Sequence, residues 1–246
     1  MRILFHERTS EHEITVYDAP QLAGERGSFR VLQFAENAMQ GAMDLDNPER
    51  IVFEYPKAMI HLMQCNNPSY ANVYLIGHGI GTIARSCPGI RFTTAELDSN
   101  IVRLSKELFG CRDDDVRIGD GRAILEEQAA HAFDYVLLDA FTAKGTPKHL
   151  TSRSFFELTA AKLMEGGAVI LNMMGKGGQD TVTAAVHSTL QTVFAYTRVF
   201  SLPSSSMSEL RNIIIIGSER PIRFQESKMV GFVPIVLDQG YIIEDH

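Results

Sequence analysis

An α/β fold built on a mostly parallel sheet is what this sequence predicts, and three observations predict it. From Asn72 onward, short apolar runs alternate with helical patterns. Two of those runs, Phe133-Asp-Tyr-Val-Leu-Leu138 and Ala168-Val-Ile-Leu-Asn172, are almost continuously apolar, as strands covered on both faces must be. The runs end in glycines or acids, the residues that turn a strand into a helix and that gather at the ligand-bearing edge of such sheets.

Residues 1–47 read as a small β domain and 48–246 as the larger one. Ile14-Thr-Val-Tyr17 and Phe29-Arg-Val-Leu-Gln-Phe34 are rich in β-branched and aromatic residues and flank the turn-like Ala23-Gly-Glu-Arg-Gly-Ser28, which predicts a hairpin. Pro48 to Cys65 predicts a helix, with Ile51, Tyr55, Met59, Leu62 and Met63 at helical spacing and proline near the start. Strands follow at Val73 to Ile76, Ile90 to Glu96 and Val116 to Ile118. Ser99 is the expected cap of a helix reaching Phe109. Ser154 to Met164 predicts a helix stopped by Gly166-Gly167, and Gln179 to Val193 another. Thr197 to Phe200 and Asn212 to Ile216 are joined by a Ser-rich turn, which predicts an antiparallel pair at a sheet edge.

Composition bounds the function. The chain has 246 residues, 45% of them hydrophobic and 22% charged, which suits one main globular domain. No apolar run reaches the roughly 18–20 residues that span a bilayer, and the first 18 residues carry charges throughout, so a cytoplasmic protein with no membrane partner is expected. A net charge of -7 argues against a nucleic-acid backbone as partner. Cys65, Cys87 and Cys111 form no CxxC pair, and His61, His78 and His149 lack ligand spacing, so no disulfide framework or metal site is expected.

Ligands of an open parallel sheet bind beyond the carboxyl ends of its strands. The first strand ends in Gly77-His-Gly-Ile-Gly81, where Gly77, Gly79 and Gly81 allow close approach to the backbone; a plain tight turn is the alternative. Thr82 replaces the last glycine of the dinucleotide fingerprint, which disfavours a dehydrogenase. Glu96, nineteen residues after Gly77, stands where such folds place a carboxylate for ribose hydroxyls. Asp120, with Gly121 after it, is placed either to meet an exocyclic amine such as that of adenine or to cap the helix beginning near Arg122. Asp139 ends a fully apolar strand, a costly place for a carboxylate unless it meets a cation or hydrogen-bond donors; the alternative is a structural bond to the loop Phe141 to Leu150.

With Met39-Gln-Gly-Ala-Met43, Glu54-Tyr55, Leu75 to Thr82, Glu96-Leu-Asp98, Gly119-Asp-Gly121, Leu137-Leu-Asp-Ala-Phe141, Pro147 to Phe156 and Gly166-Gly167 in this order, the chain resembles the spermidine synthase (aminopropyltransferase) family. The likeness is greatest to the spermidine-synthase-like domains fused to membrane transporters. It implies the Rossmann-like fold of S-adenosylmethionine-dependent methyltransferases, preceded by a small N-terminal β domain. It also implies that Gln40 contacts the side-chain portion of the nucleoside ligand, Glu96 its ribose, and Asp120 and Gly121 its adenine. Asp139 would be the catalytic group on the attacking amine, and Tyr55 would shape the same cleft.

Three positions depart from the family pattern. Ile80 stands for an acidic residue of the glycine loop, Thr142 for a second carboxylate after the catalytic one, and Pro56 for a histidine after the tyrosine. The implied reaction moves an aminopropyl group from decarboxylated S-adenosylmethionine to a polyamine or related small amine, in a homodimer. Methyl transfer from S-adenosylmethionine itself, or nucleoside binding without catalysis, are the alternatives. Ile80 favours methyl transfer over the decarboxylated donor, since it removes a charge that would repel a carboxylate.

Overall fold

The computed structural model describes residues 1–8, 13–34, 38–112, 115–142, 145–177, 180–203 and 209–245. Its first unit is an antiparallel sheet in the order β1-β2-β3-β4, formed by β1 (Arg2–Arg8), β2 (Glu13–Leu22), β3 (Glu25–Phe34) and β4 (Ala38–Asp44). The expected hairpin is its centre, β2 and β3. The flanking strands go unmarked in the sequence, since β1 is an exposed edge with charged ends and β4, Ala-Met-Gln-Gly-Ala-Met-Asp, contains no β-branched residue. Pairing along β4 passes from Leu32 opposite Gly41 to Gln33 opposite Met39, so Gln40 is the extra residue of a bulge. Bulges of this kind re-aim a side chain.

The second unit is an eight-stranded sheet, β12-β10-β11-β9-β8-β5-β6-β7. Its strands are β5 (Asn72–Ile76), β6 (Arg91–Glu96), β7 (Val116–Ile118), β8 (Phe133–Leu138), β9 (Leu163–Gly175), β10 (Tyr196–Ser201), β11 (Arg211–Ser218) and β12 (Val233–Ile235). β5 to β9 run parallel, and β11, β10 and β12 add antiparallel neighbours in turn. The pair β10–β11 is antiparallel as expected, but it is not the edge: β11 lies against β9, and β12, from the closing segment, covers β10. The helices are α1 (Glu54–Asn66), α2 (Thr82–Arg85), α3 (Ser99–Phe109), α4 (Gly121–Glu126), α5 (Arg153–Lys162) and α6 (Thr181–Gln191). None of the described helices is long and apolar enough to cross a membrane.

The two-residue period of the strands sorts the core into two layers. Tyr74, Ile76, Val136, Leu138, Val169 and Leu171 pack with residues of α4, α5 and α6. Val73, Leu75, Tyr135, Leu137 and Ile170 pack on the other face, where α1 supplies Ala58, Met59, Leu62 and Met63. A third cluster joins the units: Ile14, Val16, Leu32 and Met43 of the small sheet meet Ile80 and the α3 residues Ile101, Leu104 and Phe109. Arg30 fastens this seam, bonding Asp18 and donating to the carbonyl of Leu108 at 2.8 Å.

Tertiary contacts override local pattern in three places. α1 begins at Glu54 rather than Pro48, because Ile51 bridges to Met43, Val52 and Phe53 pack on the small sheet, and Arg50 is held by Glu25 and Asp44. The cap of α3 is Asp98, whose carboxylate takes the amide of Asn100 at 2.8 Å, one residue before the expected Ser99. α5 ends at Lys162, so Gly166 and Gly167 lie inside β9, where a side chain on Gly167 would meet the carbonyl of Asp134 at 2.8 Å.

Candidate active site

The chain runs outward from β5 to β6 and β7, then returns to the other side of β5 to form β8, which puts the switch in winding direction between the tips of β5 and β8. Ligand crevices of open α/β sheets lie there. The amide of Asp139 bonds to Ile76 and that of Gly77 to Ala95, each at 2.8 Å, so the ladder persists to the last residue of both tips. Gly77 (φ +97°) is compulsory: a Cβ there would lie 2.1 Å from the carbonyl oxygen of Asp139. Gly79 (φ +53°) instead faces open space, with the carbonyl oxygen of Gln40, across the bulge, nearest at 3.7 Å. Gly81 ends the loop under Cys111, whose sulfur leaves no room for a Cβ.

Glu96 braces this loop. One carboxylate oxygen accepts from the amide of His78 at 2.9 Å and the other from that of Asp98 at 3.0 Å. Burial raises its pKa, and those amides offset part of the rise. His78 itself turns inward, buried, with Nε2 at 2.8 Å from Ser105 Oγ, and burial holds its imidazole down to about 4. It is a neutral packing group of the seam.

Asp139 is half-buried, and its partners are on the sheet and α1 rather than on the loop after it. Asn172, at the end of the apolar stretch of β9, donates from Nδ2 to Asp139 Oδ1 at 2.8 Å. The Tyr55 hydroxyl lies near enough to the same carboxyl to favour its ionised form. Burial pushes Asp139 up to about 6; the two donors pull it down, and the charge of Glu96 adds to the rise. Burial and the neighbouring Asp139 carboxylate keep the Tyr55 phenol well above its usual value, so it stays a donor. Asn172 was not among the candidates from sequence, and its place at a strand tip beside Asp139 is the signal that could have found it.

At the outer end of the crevice Asp120 caps α4, its Oδ1 accepting from the amides of Arg122 and Ala123 at 3.0 and 2.9 Å. Its Oδ2 lies 2.8 Å from Nε2 of His149. Burial alone would raise its pKa, but the Ala123 amide and His149 hold it below the usual range. Gly121 packs so tightly on β5 that a Cβ would meet Ile76 at 2.4 Å. Between Glu96 and Asp120 two apolar side chains face solvent, Leu97 at 71% and Ile118 at 60% exposure. The strand tips thus carry Gly77, Gly79, Glu96, Asp120 and Asp139 along one edge, with Tyr55 joining from α1 and the Gln40 bulge beside Gly79.

The family model for the spermine/spermidine synthase domain matches residues 52–226, well over half of the chain. The chain belongs to that family. A probable polyamine aminopropyl transferase from Bifidobacterium longum is 32% identical over 145 residues, 55% of this chain but only 32% of that protein. The chain thus spans about a third of that relative's length. A polyamine aminopropyltransferase from Bacillus mycoides is 24% identical over 93% of this chain and 90% of its own. Among solved structures, a probable spermidine synthase from Corynebacterium glutamicum superposes with a TM-score of 0.77 at 21% identity, over 89% of this chain and 81% of that one. The fold is therefore the Rossmann-like α/β fold of spermidine synthases, with their small N-terminal β domain.

Within this spermidine synthase frame, the departures have structural roles. Ile80 is 2% exposed and belongs to the seam between the units, where a Cβ on Gly41 would meet it at 2.8 Å. Thr142 is bridged to Gly145, exchanging backbone bonds with it and donating its hydroxyl to the Gly145 carbonyl at 2.8 Å. Pro56 is buried in the first turn of α1, where a missing N–H costs little. Ile80→Ala is accordingly expected to cost about 2–4 kcal/mol, read as a lowered urea midpoint, because the seam cannot collapse into the space.

Proposed function

We propose that this chain is an aminopropyltransferase of the spermidine synthase type, moving an aminopropyl group from decarboxylated S-adenosylmethionine to a polyamine or related amine. The observation that carries the reading is Asp139, a half-buried carboxylate at the switch point, held by Tyr55 and Asn172 with a second carboxylate, Glu96, near enough to raise its pKa. Two acids in a partly dry crevice draw a cation. The donor sulfonium and the acceptor ammonium are both cations.

The residues present fit such a donor. Gly79 faces open space, Leu97 and Ile118 offer an apolar surface for a purine, and Glu96 and Asp120 flank them. In this reading Glu96 takes the ribose, Asp120 and Gly121 the adenine, Gln40 the aminopropyl side, and the loop Gly77 to Gly81 lines the floor. When bound, the sulfonium supplies an electrophilic carbon and a neutral thioether as leaving group. Asp139 and Tyr55 orient the amine, whose pKa is near 10.4 in water and falls on desolvation; above about pH 6 the ionised Asp139 accepts or relays its proton. Holding both partners in line supplies much of the rate.

A second reading rests on Ile80. With no acid in the glycine loop, the carboxylate of intact S-adenosylmethionine meets no repulsion there, which favours a methyltransferase. Kinship with the spermidine-synthase-like domains fused to membrane transporters is part of the same proposal and rests on the resemblance of the matching sequence stretches alone. Calorimetry with S-adenosylmethionine, its decarboxylated form and methylthioadenosine separates the readings. Binding of the decarboxylated form over S-adenosylmethionine, with a new polyamine mass on adding putrescine, is the expected result. Preference for the intact form overturns it in favour of methyl transfer. Methylthioadenosine binding without product across an amine panel leaves a binding module.

A further inference from the structure

We propose that Asn172 is a positioning residue for Asp139 and that Asn212 fixes which way its amide points. The proposal rests on the reading of Asp139 as the group that meets the amine. The pleat of the sheet makes the arrangement possible. Asn172 pairs across the ladder with Ile214, and residues two apart share a face, so Asn172 and Asn212 lie on one face with Ile170 and Ile214. Leu137 packs in that same layer, which puts Asp139, two residues on, on the same side. α1 covers this face and brings Tyr55 to it. Three adjacent strands, β8, β9 and β11, thus each place one polar group at the same end of an otherwise apolar layer.

The bonds run in one direction. Asn212 donates from Nδ2 to Asn172 Oδ1 at 2.9 Å, and Asn172 donates from Nδ2 to Asp139 Oδ1 at 2.8 Å. A primary amide has one accepting and one donating end. With the accepting end taken by Asn212, the donating end must face Asp139; the reverse orientation would set two oxygens against each other. Asn172 is fully buried, so a misdirected amide finds no water to compensate.

The consequence is chemical as well as geometric. The Asn172 bond pins one carboxylate oxygen, and the lone pairs that neither Asn172 nor Tyr55 takes are left for the cleft. The groups facing Asp139 are Asn172 from β9, Tyr55 from α1 and Glu96 from β6. The first two favour its ionised form and the third opposes it. Losing the Asn172 donor therefore moves the titration of Asp139 upward, toward the pH at which an acceptor for the amine proton is needed.

The test is a carbon-13 NMR titration of the aspartate side-chain carboxyls, with Asp139 assigned by its loss in Asp139→Asn. In Asn172→Leu the Asp139 titration is expected to move up by about one to two pH units, the size of a lost hydrogen bond to a charged group. In Asn212→Leu, where the amide is present but no longer anchored, a smaller rise is expected. Asn212→Ser keeps a donor and should restore the wild-type value. An unchanged titration in Asn172→Leu overturns the proposal. If that variant does not fold, Asn212→Leu against Asn212→Ser decides it in the same way. Turnover of decarboxylated S-adenosylmethionine with putrescine provides the second readout: the acid limb of the kcat profile should follow the titration while the donor KM stays put. No turnover by the wild type under any condition overturns the aminopropyltransferase reading, and the titration still decides the role of Asn172.

Discussion

Asp139→Asn is expected to stabilise the protein at pH 8 and to abolish its turnover together. The folded chain holds this carboxyl at about 6 against 3.8 for an ordinary aspartate, chiefly through burial. The proton is therefore bound more tightly in the folded state than in the unfolded one. Stability contributed by this group is greatest below about pH 4, declines between about 4 and 6 as the folded protein must release a proton the unfolded chain has already lost, and stays low above. At pH 8 the penalty is at most about 3 kcal/mol, from the pKa difference at about 1.4 kcal/mol per pH unit. An asparagine carries no charge to desolvate and can still accept from Asn172. Its advantage over wild type should be several degrees in Tm at pH 8 and nearly nothing at pH 4, by scanning calorimetry. Turnover should drop about 10²–10⁴-fold, the range for a lost proton acceptor. An equal stability difference at both pH values would mean that the carboxylate is not held in a dry environment.

That coupling of cost and function explains why part of the site was legible in the sequence. A carboxylate ending Val136-Leu-Leu138 is conspicuous because the residues before it leave no polar surroundings to share. The bounds of β8 are legible for the related reason that a buried parallel strand must be apolar along its length and stop where it emerges. The polar ends of neighbouring strands, Gly77, Glu96 and Asp120, follow from the same rule. What stayed hidden depends on pairing. Asn172 looks like ordinary punctuation at the end of an apolar run, and its partner Asn212 lies 40 residues away on an antiparallel strand, so only the register of β9 against β11 joins them. β1, β4 and β12 lack a local signature because their stability comes from neighbours. The contact of His149 with Asp120 needs the path of the loop from Phe141 to Leu150, which no periodicity describes. Ile80 shows the converse: its difference from the family pattern is plain in the sequence, whereas its burial in the seam required the docking of β4.

The glycine loop yields the second large effect, and it separates the fold from the ligand. Gly77→Ala should be lost to the insoluble fraction or unfold at a much lower denaturant concentration. Its Cβ would stand 2.1 Å from the Asp139 carbonyl oxygen and 2.7 Å from the carbonyl carbon, with Ala140 Cα at 3.3 Å. None of these is a side chain able to swing aside. The backbone cannot retreat either, since the amides on both tips are tied by 2.8 Å bonds to Ile76 and Ala95. Together with a φ of +97°, this amounts to about 4 kcal/mol or more, a large part of a typical domain's stability. Gly79→Ala is the contrasting case. Its φ of +53° lies in the left-handed region, at a cost of about 1–2 kcal/mol for alanine, and nothing but the Gln40 carbonyl at 3.7 Å is near the added methyl. That variant should fold with a modestly lowered midpoint, while calorimetry with methylthioadenosine shows at least about tenfold weaker binding, because the methyl occupies the space the nucleoside's chain would need. A soluble Gly77→Ala of wild-type stability would mean that the tips of β5 and β8 are not apposed. Wild-type affinity in Gly79→Ala would move the donor away from the glycine loop, and with it the assignment of Gln40 to the same ligand.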